Sequence, residues 1–221
     1  MPMPTGLFGR VKQIYQTEGV LPLIRRIFTF MVGRVFQYRT YFIYEQALED
    51  IRKFNESNYI PKIDNFTFKV ISTNQEADDL EADGLEFRSH VPNSRERLDK
   101  GTVAFCIFVG QELAYIGWAA MTQQAKDTLP DPPYKVDFSN KEGCGGDTWT
   151  NPKYRRMGLR TYGVFKRHEF MLNNGMTIGR VAIAKKNIAS PKGRAKFARV
   201  YAEGRYLRIL WWKSWKEKPL P

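Results

Sequence analysis

Seven consecutive residues, Val103-Ala104-Phe105-Cys106-Ile107-Phe108-Val109, carry no charged or amide side chain. Successive side chains of a strand point to opposite faces. A strand built from this run is therefore apolar on both sides and has to be covered on both, as in the centre of a sheet flanked by helices. Gln111 and Glu112 then turn the chain into a second apolar run, residues 113–121, so the pair reads as a hairpin. With 221 residues, 43% of them hydrophobic, and a mean hydropathy of −0.47, the chain can bury one full core and carry an appendage. Disordered and collagen-like classes are excluded.

Charge is distributed very unevenly along the chain. Residues 1–44 hold six basic and one acidic side chain, residues 45–150 eleven and nineteen, and residues 151–221 eighteen and three. The net +12 thus resolves into a basic start, an acidic middle and a strongly basic last third. Such a block creates a local positive potential that attracts phosphates, nucleic acid or anionic lipid. Cys106 and Cys144 show no metal-ligand or disulfide spacing, so no zinc site and no disulfide framework are expected, and a reducing, cytoplasmic compartment is. No signal peptide is visible. The longest uncharged run, residues 113–125, is too short to span a bilayer, which takes about 18 or more residues.

Along the chain, residues 21–44 read as a basic amphipathic helix, with Ile24, Ile27, Phe28, Met31, Val35 and Tyr38 on one side and Arg25 and Arg26 opposite. Residues 44–56 read as a second helix, 66–72 as the first strand of the main domain and 75–83 as a short acidic helix. Residues 122–146, with three prolines and the Gly143-Cys144-Gly145-Gly146 cluster, read as a long loop, suited to covering a site. Cys106 is expected in the core and Cys144 in a loop. Then follow a strand at 147–150, a turn, a helix over 159–172 ended by Asn173-Asn174-Gly175, a strand at 177–184, a helix from Asn187 or Ser190 and a last β segment at 206–212.

The chemistry is concentrated in Asp147-Thr148-Trp149-Thr150-Asn151-Pro152-Lys153-Tyr154-Arg155-Arg156-Met157-Gly158-Leu159-Arg160-Thr161. A strand that runs through a turn into a helix exposes unpaired backbone N–H groups, here beside Arg155 and Arg156, and these suit a phosphate or pyrophosphate. Neither GxxxxGK[ST] nor GxGxxG is present.

The run Pro152, Tyr154, Arg155, Gly158 resembles the acyl-CoA-binding signature of the GNAT superfamily of N-acetyltransferases, Pro-x-Tyr-Arg-x-x-Gly-x-Gly/Ala. Arg160 stands where the last Gly or Ala is usual. The order of elements is similar over roughly residues 66–212. The resemblance implies an α/β fold, a mixed twisted sheet of six to seven strands flanked by helices, preceded by a helical extension. Residues 1–60 are then a basic helical extension and 61–221 the acyl-CoA N-acyltransferase domain. It also implies acetyl-CoA or another acyl-CoA as co-substrate. Residues 147–150 would splay from the neighbouring strand and offer main-chain groups at Trp149 and Thr150 to pantetheine. The turn Arg155, Arg156, Met157, Gly158, Leu159, Arg160 and Thr161 would hold the pyrophosphate, with Asn187 near the pantetheine amide. Where the family often has a tyrosine acid, about seven residues after the asparagine, this chain has Arg194.

The implied reaction is attack of a neutral amine on a thioester. An amine with a pKa of about 10.4 is deprotonated in only about 1 molecule in 2,000 at pH 7, so a base is useful. Asp147 is the first candidate, with Glu86 and His90 as alternatives from the opposite side of the cleft. His168 and His90 are both more readily read as surface or satisfied side chains. The acceptor is an amine, small or macromolecular. A non-catalytic acyl-CoA sensor and a basic nucleic-acid-binding module are the rival readings, the second suggested by Trp211, Trp212 and Trp215 among lysines. The concentration of charge at a compact turn argues against nucleic acid. For the helix in residues 1–44, packing into the core, a homodimer contact and an anionic membrane, at the inner surface of the cell, all remain open.

Overall fold

The computed structural model describes residues 20–21, 35–130, 132–187 and 198–220. Eight strands form one mixed sheet in the order β2-β3-β4-β5-β6-β1-β7-β8. They are β1 (Phe36–Ala47), β2 (Phe66–Ile71), β3 (Val103–Val109), β4 (Glu112–Ala120), β5 (Glu142–Thr150), β6 (Ile178–Ala184), β7 (Arg199–Ile209) and β8 (Trp212–Pro219). The described α-helices are α1 (Asn74–Ala82), α2 (Ser94–Asp99), α3 (Gln123–Lys126) and α4 (Leu159–Asn173). The sheet has one strand more than the upper end of the expected range.

The central hairpin forms as expected. β3 and β4 are almost wholly buried and pair antiparallel, while β2 pairs with the other edge of β3. Cys106 is fully buried. Helix α1 starts at a capping box in which Thr73 accepts from the Glu76 N–H and Glu76 bonds back to the Thr73 N–H, the arrangement that satisfies the first orphan donors of a helix.

Four expectations are corrected. The helix expected over residues 21–44 is a strand from Phe36 onward; residues 22–34 lie outside the described residues. Phe36, Tyr38, Thr40, Tyr41, Phe42, Ile43 and Tyr44 are aromatic or β-branched, and such side chains fit a pleated surface better than a helix. Its inner half pairs antiparallel with β6 from Tyr41↔Ala184 to Ala47↔Ile178, and short 3-10 turns, Leu48–Lys53 and Glu56–Asn58, replace the second helix. Gly143-Cys144-Gly145-Gly146 is buried strand, not loop, and Cys144 is 0% exposed. Glycine is needed there because a Cβ on Gly145 would lie 2.5 Å from Arg167 Cζ and one on Gly143 3.0 Å from Met171 Sδ. The last β segment is a hairpin of two strands, β7 and β8. His168, expected at the surface or as a satisfied side chain, is 4% exposed, and the helix expected from Asn187 or Ser190 lies outside the described residues from position 188 on.

The chain divides into two compact units, residues 40–204 with 217–221 and residues 1–39 with 205–216. In the larger unit α4 lies across the sheet, burying Leu159, Tyr162, Val164, Phe165 and Met171. Tyr162 meets Phe66 and Phe68 edge-on at 5.6 and 5.7 Å. Arg167 of the same helix is 0% exposed and donates to the Trp118 carbonyl at 3.1 Å. No helix among the described residues is long and apolar enough to cross a membrane.

Candidate active site

The site arises where β5 loses its partners. On one side, β5 pairs with β4 through Tyr115↔Thr150 and Ile116↔Trp149, but the register shifts before Trp118↔Gly146. Gly117 on β4 thus faces two residues, Asp147 and Thr148, on β5, which is a β-bulge. Asp147 takes φ +40° there. On the other side, β5 runs parallel to β6 only from Glu142↔Ile178 to Cys144↔Arg180. Past that point residues 145–150 have no ladder partner on β6 among the described residues, while β6 continues to Ala184 paired along its other edge with β1. The two strands diverge as a wedge.

A buried ion pair holds the closed end of the wedge. Arg180 Nη2 lies 2.7 Å from Glu142 Oε1 and 3.1 Å from Glu45 Oε2, and its guanidinium covers the Tyr201 ring at 4.2 Å. Removing one member of such a pair costs about 3–5 kcal/mol, because the other is left buried and unpaired.

The open end of the wedge leads into a cavity of about 700 Å³ lined by Thr148, Trp149 and Thr150, the turn residues Tyr154, Arg155, Arg156 and Gly158, the helix start Leu159, Arg160 and Thr161, and Asn187. Of the ten residues that the resemblance assigns to cofactor binding, nine line this one cavity: Trp149, Thr150, Arg155, Arg156, Gly158, Leu159, Arg160, Thr161 and Asn187. Met157 packs instead against the buried cluster of Tyr154, Leu159 and Tyr162, and its carbonyl accepts from the Lys62 N–H at 2.8 Å.

The turn is anchored from β4. Glu112 accepts from Lys153 Nζ at 2.7 Å, Tyr154 Oη at 2.5 Å and Asn151 Nδ2 at 3.0 Å. These bonds, led by that from Lys153, lower the Glu112 pKa to about 2. Gly158 then caps α4 at φ +88°, a conformation open to glycine, and offers no side-chain acceptor. The first-turn N–H groups of α4 have no carbonyl within the helix to bind. With the exposed Arg155 and Arg156 beside them and the positive end of the helix dipole behind them, they have the chemistry that suits an anion. Arg160 is half-buried, and desolvation lowers its pKa.

The candidate bases are placed very differently. None of the three lines the cavity. Asp147 Oδ2 accepts from Arg97 Nη1 at 2.6 Å, and Arg97 is 5% exposed and lies 5.0 Å over the Trp118 ring. Glu86 is pushed up by partial burial, but bonds from Ser89 Oγ at 2.5 Å and the Ser89 N–H at 2.7 Å outweigh that and leave its pKa lowered. His90 is exposed and stacks on the cavity-lining Trp149, with ring centroids 5.2 Å apart. That contact joins two elements 59 positions apart in the chain and had no local sequence signal. The buried guanidinium of Arg167 beneath the bulge was likewise not foreseen.

No family model matches the chain, and no curated protein matches its sequence. Among solved structures, a GCN5-related glucosamine N-acetyltransferase region of a fungal multi-domain GH3 β-N-acetylglucosaminidase superimposes with TM-score 0.50 at 10% identity, over 83% of this chain and 22% of that one. The chain therefore spans about a fifth of the fungal protein. A GCN5-related N-acetyltransferase-like protein of Streptococcus suis gives TM-score 0.48 at 14% identity over 88% and 69% of the two chains. One from Sphaerobacter thermophilus gives 0.45 at 10% over 89% and 57%. With its mixed sheet, bulged and splayed central strand and helix-flanked turn, the chain has the GCN5-related N-acetyltransferase fold.

Proposed function

We propose that the protein is an N-acyltransferase that moves an acetyl or other short acyl group from acyl-CoA to an amine. The observation that carries this reading is the divergence of β5 from β6 after Cys144↔Arg180, which joins an open strand edge to an anion-binding helix start in one cavity. A long ligand with amides at one end and phosphates at the other matches both parts. Acyl-CoA has that chemistry, and the residues present fit it.

When bound, acyl-CoA supplies the thioester carbon that the amine attacks and the CoA thiol that departs. The first-turn N–H groups of α4, with Arg155 and Arg156, hold phosphate oxygens. The edge of Trp149 and Thr150 turned away from β4, where the Thr150 carbonyl already accepts from Arg155 Nε at 3.4 Å, would orient amide groups by main-chain hydrogen bonds. The acceptor arrives as an ammonium and has to lose a proton, and among the candidates the His90 imidazole is the group stacked on a residue of the cavity lining, Trp149, while a charge interaction links it to Glu86. We assign proton acceptance at an imidazole nitrogen to it, where such a base contributes about 10²–10⁴-fold. Asp147, the first candidate from sequence, is instead paired with the buried Arg97.

A second reading is a non-catalytic acyl-CoA sensor, favoured by the commitment of Asp147 to Arg97. A thermal-shift titration with CoA and acetyl-CoA tests both: ligand at 100 times its Kd stabilises a fold by about 2.7 kcal/mol. The absence of any shift with acyl-CoAs overturns both readings. A shift without thiol release across a panel of amines leaves the sensor.

A further inference from the structure

The smaller unit carries an exposed apolar patch that the acyltransferase reading does not use. At the tip of the β7–β8 hairpin, Ile209, Leu210, Trp211 and Trp212 are 41, 49, 85 and 52% exposed. Leu210 takes φ +54°, a conformation unfavourable for a bulky residue, and its N–H donates to the Val35 carbonyl at 2.6 Å. That bond sets the tip against the start of β1, where Phe36 and Tyr38 are 48 and 52% exposed. Large apolar side chains are thus gathered at one place, whereas isolated ones are ordinary on any surface.

The charge around the patch has one sign. Residues 35–39 and 205–216 contain Arg39, Arg205, Arg208, Lys213 and Lys216 and no acidic residue. Arg39, Arg205, Lys213 and Lys216 are exposed. Three occupants are conceivable for an aromatic, cationic tip. A second copy of the chain pairing along β8 is opposed by Lys213 and Lys216, since lysines on an outermost strand keep such edges apart. Single-stranded nucleic acid would use the indoles for stacking but has no use for Ile209 and Leu210, the aliphatic half of the tip. A bilayer interface accommodates the whole set: indoles and tyrosine at headgroup depth, aliphatic side chains below them, and cations facing anionic headgroups.

We propose that the β7–β8 tip, with the start of β1, is a docking site for an anionic lipid surface, inserted through Leu210, Trp211 and Trp212 and oriented by Lys213 and Lys216. The site is independent of the acyl-CoA reading; it shares Phe36 and Tyr38 with the earlier expectation of membrane contact through a helix in residues 1–44, but as a strand, and rests mainly on the β7–β8 tip.

The test is co-sedimentation of the full chain with vesicles of about three parts phosphatidylcholine to one part phosphatidylglycerol, with pure phosphatidylcholine as control, at low and raised salt. The wild-type chain is expected to bind the mixed vesicles and not the neutral ones. The Trp211→Ser/Trp212→Ser variant is expected to bind at least about tenfold more weakly with an unchanged melting temperature, because both side chains are at the surface. Lys213→Glu/Lys216→Glu, which keeps the indoles, is expected to lose the preference for anionic vesicles. Quenching of the wild-type tryptophan fluorescence by brominated lipid, reduced in the serine variant, places the tip in the bilayer. Unaltered binding of the serine variant, equal binding to neutral vesicles, no vesicle binding at all, or tighter binding to a single-stranded oligonucleotide than to vesicles would each overturn the proposal.

Discussion

Arg97 Nη1 donates to Asp147 Oδ2 at 2.6 Å, on the residue where β5 bulges away from β4. The pair ties α2 to the strand that opens the cavity. Its exposure is lopsided, with Arg97 at 6% and Asp147 at 37% of side-chain surface, so loss of the carboxylate strands a buried cation. Asp147→Asn is expected to destabilise the fold by about 1–3 kcal/mol, read as a lowered urea midpoint. His90→Gln is expected to leave that midpoint in place and to lower the rate of amine acylation by about 10²-fold or more. The reverse pattern would return the base to Asp147.

Arg155 and Arg156 are expected to act on affinity and not on folding, since both are exposed beside the helix start. Replacing both by alanine should weaken CoA binding by about tenfold or more, with a gap to the wild type that narrows as salt rises. Calorimetric titration at two ionic strengths measures this. A salt-independent gap would mean that the arginines shape the turn and do not meet a charge.

Gly163 sits within α4, where alanine would ordinarily gain about 1 kcal/mol over glycine. Here the packing outweighs that gain, because a Cβ would lie 2.2 Å from Tyr115 Cε1 and 2.6 Å from its Cζ. Overpacking of this kind costs about 1–3 kcal/mol, so Gly163→Ala is expected to be destabilising on balance. Combined with Tyr115→Val it should be far less so than the sum of the single changes. A double-mutant cycle by chemical denaturation gives the coupling.

Glu112 links the turn to acid stability. Its folded pKa of about 2 lies below the ordinary 4.5, so the unfolded chain takes up the proton first as pH falls. The bonds it makes to Lys153, Tyr154 and Asn151 contribute fully above pH 4.5 and are lost progressively as pH falls through about 2. Glu112→Gln should flatten that part of the profile of urea midpoint against pH. A wild-type slope retained in the variant would assign the acid limb to other carboxylates.

The parts of this fold legible in sequence are those whose signal is local. The doubly apolar run 103–109 could be only a central strand, and Gly158 and the Asn173-Asn174-Gly175 end bracketed α4 to within a residue. The turn was legible for the same reason, since the anion site is made by consecutive residues. The illegible parts depend on distant partners. Phe36 to Tyr44 supports both periods, and pairing with β6 decides between them. Gly143 and Gly145 look like loop glycines until Met171 and Arg167 are seen filling the space above them. The stacking of His90 on Trp149, and hence the choice among bases, required α1, α2 and β5 to be assembled first.

The wedge between β5 and β6 has a consequence for how the molecule breathes. A sheet elsewhere closed by ladders contains a notch whose walls are backbone edges, stapled at one end by Arg180 and Glu142 and unlaced at the other. Backbone groups of residues 148–150 on the notch side have no β6 ladder partner among the described residues, and a ligand lying along them would serve as a temporary strand. Occupancy should therefore be visible as slowed deuterium uptake confined to the end of β5, even where no atom of the fold changes place.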